Sequence, residues 1–151
     1  FRLPTNAEWE YAARGGHKRG DEYIFAGSNI ANDVAWYSIK GKQDLSYSQP
    51  VKGKNPNELG LYDMSGNVEE WCHDYYYTYT TGPKTDPICD NPEDENFRVD
   101  DDRLRITRGG RWWVASKNGS RFCRVGYRNQ LNHANIHDYL GLRLALVEEN
   151  E

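Results

Sequence analysis

The chain of 151 residues carries 19 Lys and Arg against 23 Asp and Glu, for a formal net charge of -4, and only 37% of it is hydrophobic. Its length fits one domain, and its 5 Trp, 11 Tyr and 4 Phe supply large apolar areas from few positions, so an aromatic core with polar loops is expected. No apolar run approaches the roughly 20 residues of a membrane-spanning helix, and the 3 cysteines fit no zinc spacing and leave at least one thiol without a partner in the chain.

In LPTNAEWEYAARGG, Thr5 stands as an N-cap with Glu8 three residues on, and Gly15-Gly16 ends the predicted helix. Trp9, Ala12 and Ala13 share its core face. From Gly20 to Pro50 no helical period persists, and EYIFAG and DVAWYS read as short strands among loops. KGKNPNELG is a turn. LGLYDMSGNVEEWCHDYYY combines a short apolar run, a turn at Asp63 to Asn67 and an aromatic cluster. RLRITRGGRWW sets Leu104, Ile106 and Arg108 against Arg103, Arg105 and Thr107, as a half-buried strand would, with glycines for a bend or bulge. SKNGSRFCRVGYRNQLNHANIHDY is too polar for a core strand and is expected as an exposed loop or ribbon. In the closing LGLRLALV, the alternation of Leu140, Leu142, Leu144 and Leu146 predicts a strand with one apolar face. No internal repeat appears, and residues 1–151 read as a single α+β domain. The abrupt opening, FRLPTNAEWE, is what the C-terminal part of a longer chain would show, with any export signal or lipid anchor outside it.

Charge is distributed unevenly. Asp86 to Asp102 is strongly acidic, whereas Arg103 to Arg128 carries only basic charges. Such a run with interleaved aromatics could line a nucleic-acid groove. It is more often satisfied internally, here by the acidic loop before it and by buried carbonyls, so no nucleic-acid partner is expected.

Asp63 and Glu70 flank a glycine turn with carbonyls between them, and calcium takes six to eight such oxygens. The alternative is that Asp63 caps the turn and Glu70 pairs with an arginine. His133 and His137 are four apart but lack a third ligand at motif spacing, which favours a structural or binding-surface role for them and for His17 and His73. Phosphate loops, nucleophile elbows and HExxH are missing from the sequence. NGS at Asn118 is a glycosylation acceptor only in a eukaryotic secretory source.

FRLPTNAEWEYAARGG, NELGLYDMSGNVEEW, RITRGGRWW, RVGYRN and LGLRLAL, in that order, resemble the formylglycine-generating-enzyme (sulfatase-modifying factor) domain family. The resemblance implies an α+β fold of the C-type lectin-like type, with two helices, small antiparallel sheets and long loops, in a domain that normally begins further upstream. Enzymes of that family oxidise a sulfatase cysteine to formylglycine with two copper-binding cysteines, and thiolates are the ligands that Cu(I) prefers. By spacing, those cysteines would fall near Val114 and Ser120, and the serine after the double glycine is Arg111 here. Cys123 supplies one thiol, not a pair, so no copper is expected. The family's calcium loop transfers onto Asp63 and Glu70 by side chain and Gly66 and Val68 by backbone, which makes Ca²⁺ the one cofactor implied. A second family site near Asn29 and Ile30 does not match.

The chain also resembles variable proteins of diversity-generating retroelements, which display a mutable ligand-binding surface on this fold, between the double glycine and the last strand. Trp and Tyr supply rigid contact area, while Asn, Ser and His supply adaptable hydrogen bonds. Arg111, Trp113, Val114, Asn118, Tyr127, Asn132, His133, Asn135, His137 and Tyr139 are the candidate ligand-binding residues, with Trp112 assigned to the core. The expectation is a non-catalytic protein that binds a protein or carbohydrate ligand, displayed at a bacterial cell surface or secreted, and reaching a membrane only through parts outside this chain. The competing expectation is a sulfatase-modifying oxidoreductase or an accessory homologue.

Overall fold

The computed structural model describes residues 1–39, 45–114 and 116–146. Helix α1 (Asn6–Ala13) starts as the sequence predicts. Glu8 N–H donates to Thr5 Oγ1 at 3.1 Å and Thr5 N–H donates to Glu8 Oε2 at 2.8 Å, closing two otherwise free donors of the first turn. Trp9 and Ala13 face the core, and Gly15, at φ 89°, ends the helix.

A single helical turn, α2 (Ala31–Val34), overlaps the start of DVAWYS, and the predicted strand there is the two-residue β1 (Ala35–Trp36). EYIFAG makes no strand: Phe25 and Ser28 exchange backbone hydrogen bonds of 3.0 and 3.4 Å in a tight reversal through Gly27, at φ 85°. β2 (Ser65–Gly66) pairs parallel with β1. The main sheet has the order β5-β4-β3-β6, from β3 (Glu69–Tyr75), β4 (Leu104–Arg108), β5 (Asn129–Asn132) and β6 (Leu140–Gly141). β4 runs antiparallel to both neighbours, and β6 runs parallel to β3.

Period-two alternation along β3 decides what each face does. Glu70, Cys72 and Asp74 are buried: Glu70 Oε2 accepts from Trp9 Nε1 at 2.7 Å, and Asp74 accepts from the backbone of Asn6 at 2.7 Å and of Cys89 at 3.0 Å. Glu69, Trp71 and His73 alternate with them on the opposite, outward face, and Tyr75, beyond a register shift, also packs against the core cluster. The inner side holds the aromatic core that the composition predicts, with Trp9, Met64, Tyr77, Ile106 and Val125 in one cluster and Phe25, Val34 and Tyr37 in a second.

Arg108, on the inner face of β4, is fully buried. It pairs with Glu10, donates to the carbonyls of Val125 at 3.1 Å and Tyr127 at 2.6 Å, and lies over Trp9. Arg103 pairs with Asp101 at 2.9 Å, so part of the arginine run is satisfied by the acidic loop and by carbonyls. Thr107 departs from the expected half-buried pattern, because its outward side is covered too.

The closing strand is inverted relative to expectation. Leu142, Leu144 and Leu146 are 60%, 59% and 69% exposed, whereas Arg143 and Ala145 turn inward, and regular pairing stops at Gly141. The inward slots are set by polar partners rather than hydrophobicity: Glu70 takes Arg143, and Arg2 takes Ala145 through reciprocal backbone bonds of 3.1 and 2.9 Å. Val147 lies outside the described residues. The polar stretch before β6 is only partly an exposed ribbon, because Gly119–Cys123 forms a 3-10 turn, Cys123 and Val125 are buried, and Asn129–Asn132 is a sheet strand.

Candidate functional site

The segment GGRWW is seated by the loop before β3. Gly66 N–H donates to Gly109 O at 2.7 Å, and Trp112 N–H donates to Asn67 O at 2.6 Å. Asn67 in turn donates to Trp36 O at 2.8 Å, and its side chain holds the backbone of Gln49 at 2.9 and 3.1 Å. Gly109 and Gly110 sit at φ 90° and 73°, and a Cβ on Gly110 would lie 2.5 Å from Phe122 O, so the reversal needs glycine there. Trp112 is buried as expected, with Ser38 Oγ donating to its carbonyl at 2.7 Å.

This seat throws Arg111 over the outward face of the sheet. Its guanidinium lies 4.0 Å from the Tyr139 ring centroid, within 3.3 Å of Glu69 Oε1, and its Nε donates to Trp113 O at 3.1 Å. His137 stacks on Tyr139 at 4.6 Å and 13°. Tyr139 is tied down by Glu69 N–H, which donates to its carbonyl at 2.8 Å. Beneath Arg111, Glu69 also accepts from Thr107 Oγ1 at 2.8 Å and Asn129 Nδ2 at 3.0 Å. A buried carboxylate thus fixes a guanidinium sandwiched against an aromatic ladder, with Trp113 beside it 43% exposed. Tyr127 is half-buried, edge-on to Phe122 at 5.2 Å, and its hydroxyl pKa is raised by burial and by the charge of Glu69.

Of the ten predicted residues, Arg111, Trp113, His137 and Tyr139 come together, with Tyr127 near Glu69. Val114 is half-buried behind them, its N–H 3.4 Å from Ser38 Oγ. Asn118 is exposed and accepts from Ser120 Oγ at 3.1 Å. Asn132, His133 and Asn135 form a separate turn at the far end of β5: Asn132 takes the amides of Ala134 at 2.9 Å and Asn135 at 2.8 Å, and His133 N–H reaches Arg103 O at 2.9 Å. Three residues of extended chain, about 10 Å, separate Asn132 from Asn129 under Arg111. The structure thus gathers Arg111, Trp113, His137 and Tyr139 and sets Asn132, His133 and Asn135 apart from them. Glu69, Thr107 and Asn129 were missed by sequence reasoning; the alternation in EEWCHDY places Glu69 on the outward face, and that was the available signal.

Two of the four residues read as a calcium loop, Asp63 and Glu70, have protein partners. Both oxygens of Glu70 accept from Arg143, each at 2.6 Å, and Oε2 also takes Trp9 Nε1. Asp63, at φ 57°, accepts from Lys52 N–H at 2.8 Å. The arginine pair of the alternative is present, whereas Asp63 holds the backbone of Lys52 rather than that of its own turn; a cation at Glu70 would have to displace a bidentate guanidinium from a buried carboxylate. Asn29, at the family's second position, spends Oδ1 on the amide of Ile24 at 3.0 Å.

Cys72, Cys89 and Cys123 are all buried and unbridged. Burial pushes the Cys89 and Cys123 thiols up to about 12, the opposite of what a metal-binding thiolate needs.

A helix behind a small mixed sheet, with long loops and a glycine-hinged turn presenting side chains over the other face, defines an α+β domain of the C-type lectin-like type. The chain belongs to the sulfatase-modifying factor enzyme 1-like domain family, whose model matches residues 1–147. It is 39% identical over 132 residues to the chaperone protein LppX of Paenibacillus barcinonensis, covering 78% of this chain and 40% of that one. It is 41% identical over 98 residues to the formylglycine-generating enzyme of Streptomyces coelicolor, covering 57% and 31%. The structure of Treponema denticola variable protein 1 superimposes with a TM-score of 0.70 at 34% identity, over 93% of this chain and 45% of that one. This chain thus spans less than half the length of each of these proteins.

Proposed function

We propose that this domain binds a ligand without catalysing a reaction, through the surface of Arg111, Trp113, His137 and Tyr139, as a variable-type protein does. The observation that carries the reading is the Glu69–Arg111–Tyr139–His137 stack, which presents a rigid, half-exposed cation and aromatics over the outward face of the sheet. Planar side chains held by buried partners lose little entropy on binding, and clusters of Arg, Tyr and Trp are the usual anchors of recognition. Similarity to the Treponema variable protein supports this reading. A protein or carbohydrate ligand suits such a surface, and display at a bacterial surface would rest on segments outside this chain. Sulfatase-directed oxidation is the second reading, favoured by identity to the Streptomyces enzyme. It would require thiolates where Val114 and Ser120 stand.

Screening the domain on glycan and bacterial-protein arrays, in parallel with Arg111→Ala and Tyr139→Ala, tests the assignment. Each variant is expected to weaken the ligands found by about 2 kcal/mol, roughly 30-fold, while a cooperative thermal transition shows that it is still folded. Ligands retained equally by both variants would refute this site.

A further inference from the structure

The outward face of the sheet continues past the Arg111 cluster. Trp71 pairs with Thr107 and Tyr75 with Arg105 across β3 and β4, and Arg105 lies opposite Leu131 on β5. At this end Leu3, Trp71, His73, Arg105 and His133 line a cleft of about 340 Å³. That volume is at the lower end of the roughly 300–1,000 Å³ of small-molecule sites.

Arg105 is fixed on two sides. Its Nη1 donates to His73 O at 2.6 Å, and its guanidinium lies 3.5 Å from the Tyr75 ring centroid. Among the described residues it makes no salt bridge, whereas Arg103 and Arg111 on the same face each have a carboxylate. Nor do its Nε and Nη2 donate to any described protein atom. A stacked, half-buried guanidinium with its forked edge free matches the geometry of a carboxylate, which accepts two parallel N–H bonds. Trp71 and Leu3 add an apolar wall, and the imidazoles of His73 and His133 add polar groups at the rim.

We propose that this cleft is a binding site for a small organic monocarboxylate, its carboxylate forked onto Arg105 and its apolar body against Trp71 and Leu3. The site is built from β3, β4 and the end of β5 and is distinct from the Arg111 surface, so it stands whether or not that surface binds a ligand.

Calorimetric titration with benzoate and its uncharged isostere benzamide tests the proposal. Saturable binding of benzoate but not benzamide is expected. Arg105→Lys, which keeps the charge but loses the fork and the stack, is expected to weaken benzoate binding by roughly tenfold or more. His133→Ala, at an exposed side chain whose loss does not threaten the fold, should weaken it about threefold. Arg111→Ala should leave it unchanged. No saturable heat up to about 10 mM, equal binding of benzoate and benzamide, or full affinity in Arg105→Lys would overturn the proposal. Loss of benzoate binding in Arg111→Ala would do so too, by assigning the carboxylate to the other cluster.

Discussion

Arg143→Ala is expected to destabilise the domain by about 3–5 kcal/mol, the usual cost of leaving one member of a buried pair uncompensated. Arg143 is the bidentate partner of Glu70 and also donates to Tyr62 O at 3.1 Å. Without it, a carboxylate that is only 5% exposed keeps a single donor among the described residues, Trp9 Nε1. For a chain of this size the loss corresponds to roughly 10 °C or more in Tm, read by urea and thermal unfolding. The double variant Arg143→Met with Glu70→Leu should recover much of it, because the charges are removed together. Leu142→Ser and Leu144→Ser, on either side, should change stability by no more than about 0.5 kcal/mol each, since both side chains are in water. A strand read by hydrophobicity alone predicts the reverse order, with the leucines costly and the arginine cheap.

Gly66→Ala is the second large effect. Gly66 sits at φ 76°, and a Cβ there would stand 2.3 Å from Trp36 O and 2.8 Å from Trp36 N. The substitution adds a left-handed penalty of about 1–2 kcal/mol to an overpacking cost of about 1–3 kcal/mol, because the clash is with backbone that cannot rotate away. Gly60 is the matched control: at φ 77° it has nothing within 4 Å of an added Cβ, so Gly60→Ala should cost only the conformational part. The difference between the two unfolding free energies isolates the close β1–β2 approach. Since Gly66 N–H also holds Gly109 O, Gly66→Ala should loosen the seat of Arg111 and weaken ligand binding more than its stability loss explains.

Local chemistry made part of this molecule legible in the sequence. Thr5 and Glu8 specify the start of α1 because both capping partners lie within one turn, and the two glycines after Arg108 specify a reversal because few other residues adopt its backbone angles. The buried Trp112 followed by an exposed Trp113 was readable from the framework resemblance. Long-range pairing was not readable. Leu142, Leu144 and Leu146 alternate as a core strand would, but Glu70, seventy-three positions from Arg143, decides which side of that segment turns inward. The floor of the site was hidden for the same reason: Glu69, Thr107 and Asn129 come from three strands, and only the β3–β4–β5 register brings them under Arg111. His133 and His137 looked like one group by spacing, yet the turn through Asn135 separates them, one to each end of the sheet face.

On the proposed reading the domain has a surface for ligands and no thiol-based oxidation site. Incubating the purified domain with copper, oxygen and a cysteine-containing sulfatase-type peptide, and following the peptide by mass spectrometry, tests it most directly. The cysteine is expected to stay unconverted, with copper leaving the domain unchanged, because positions 114 and 120 are Val114 and Ser120 and all three thiols are buried. Formylglycine produced in repeated turnover would contradict it.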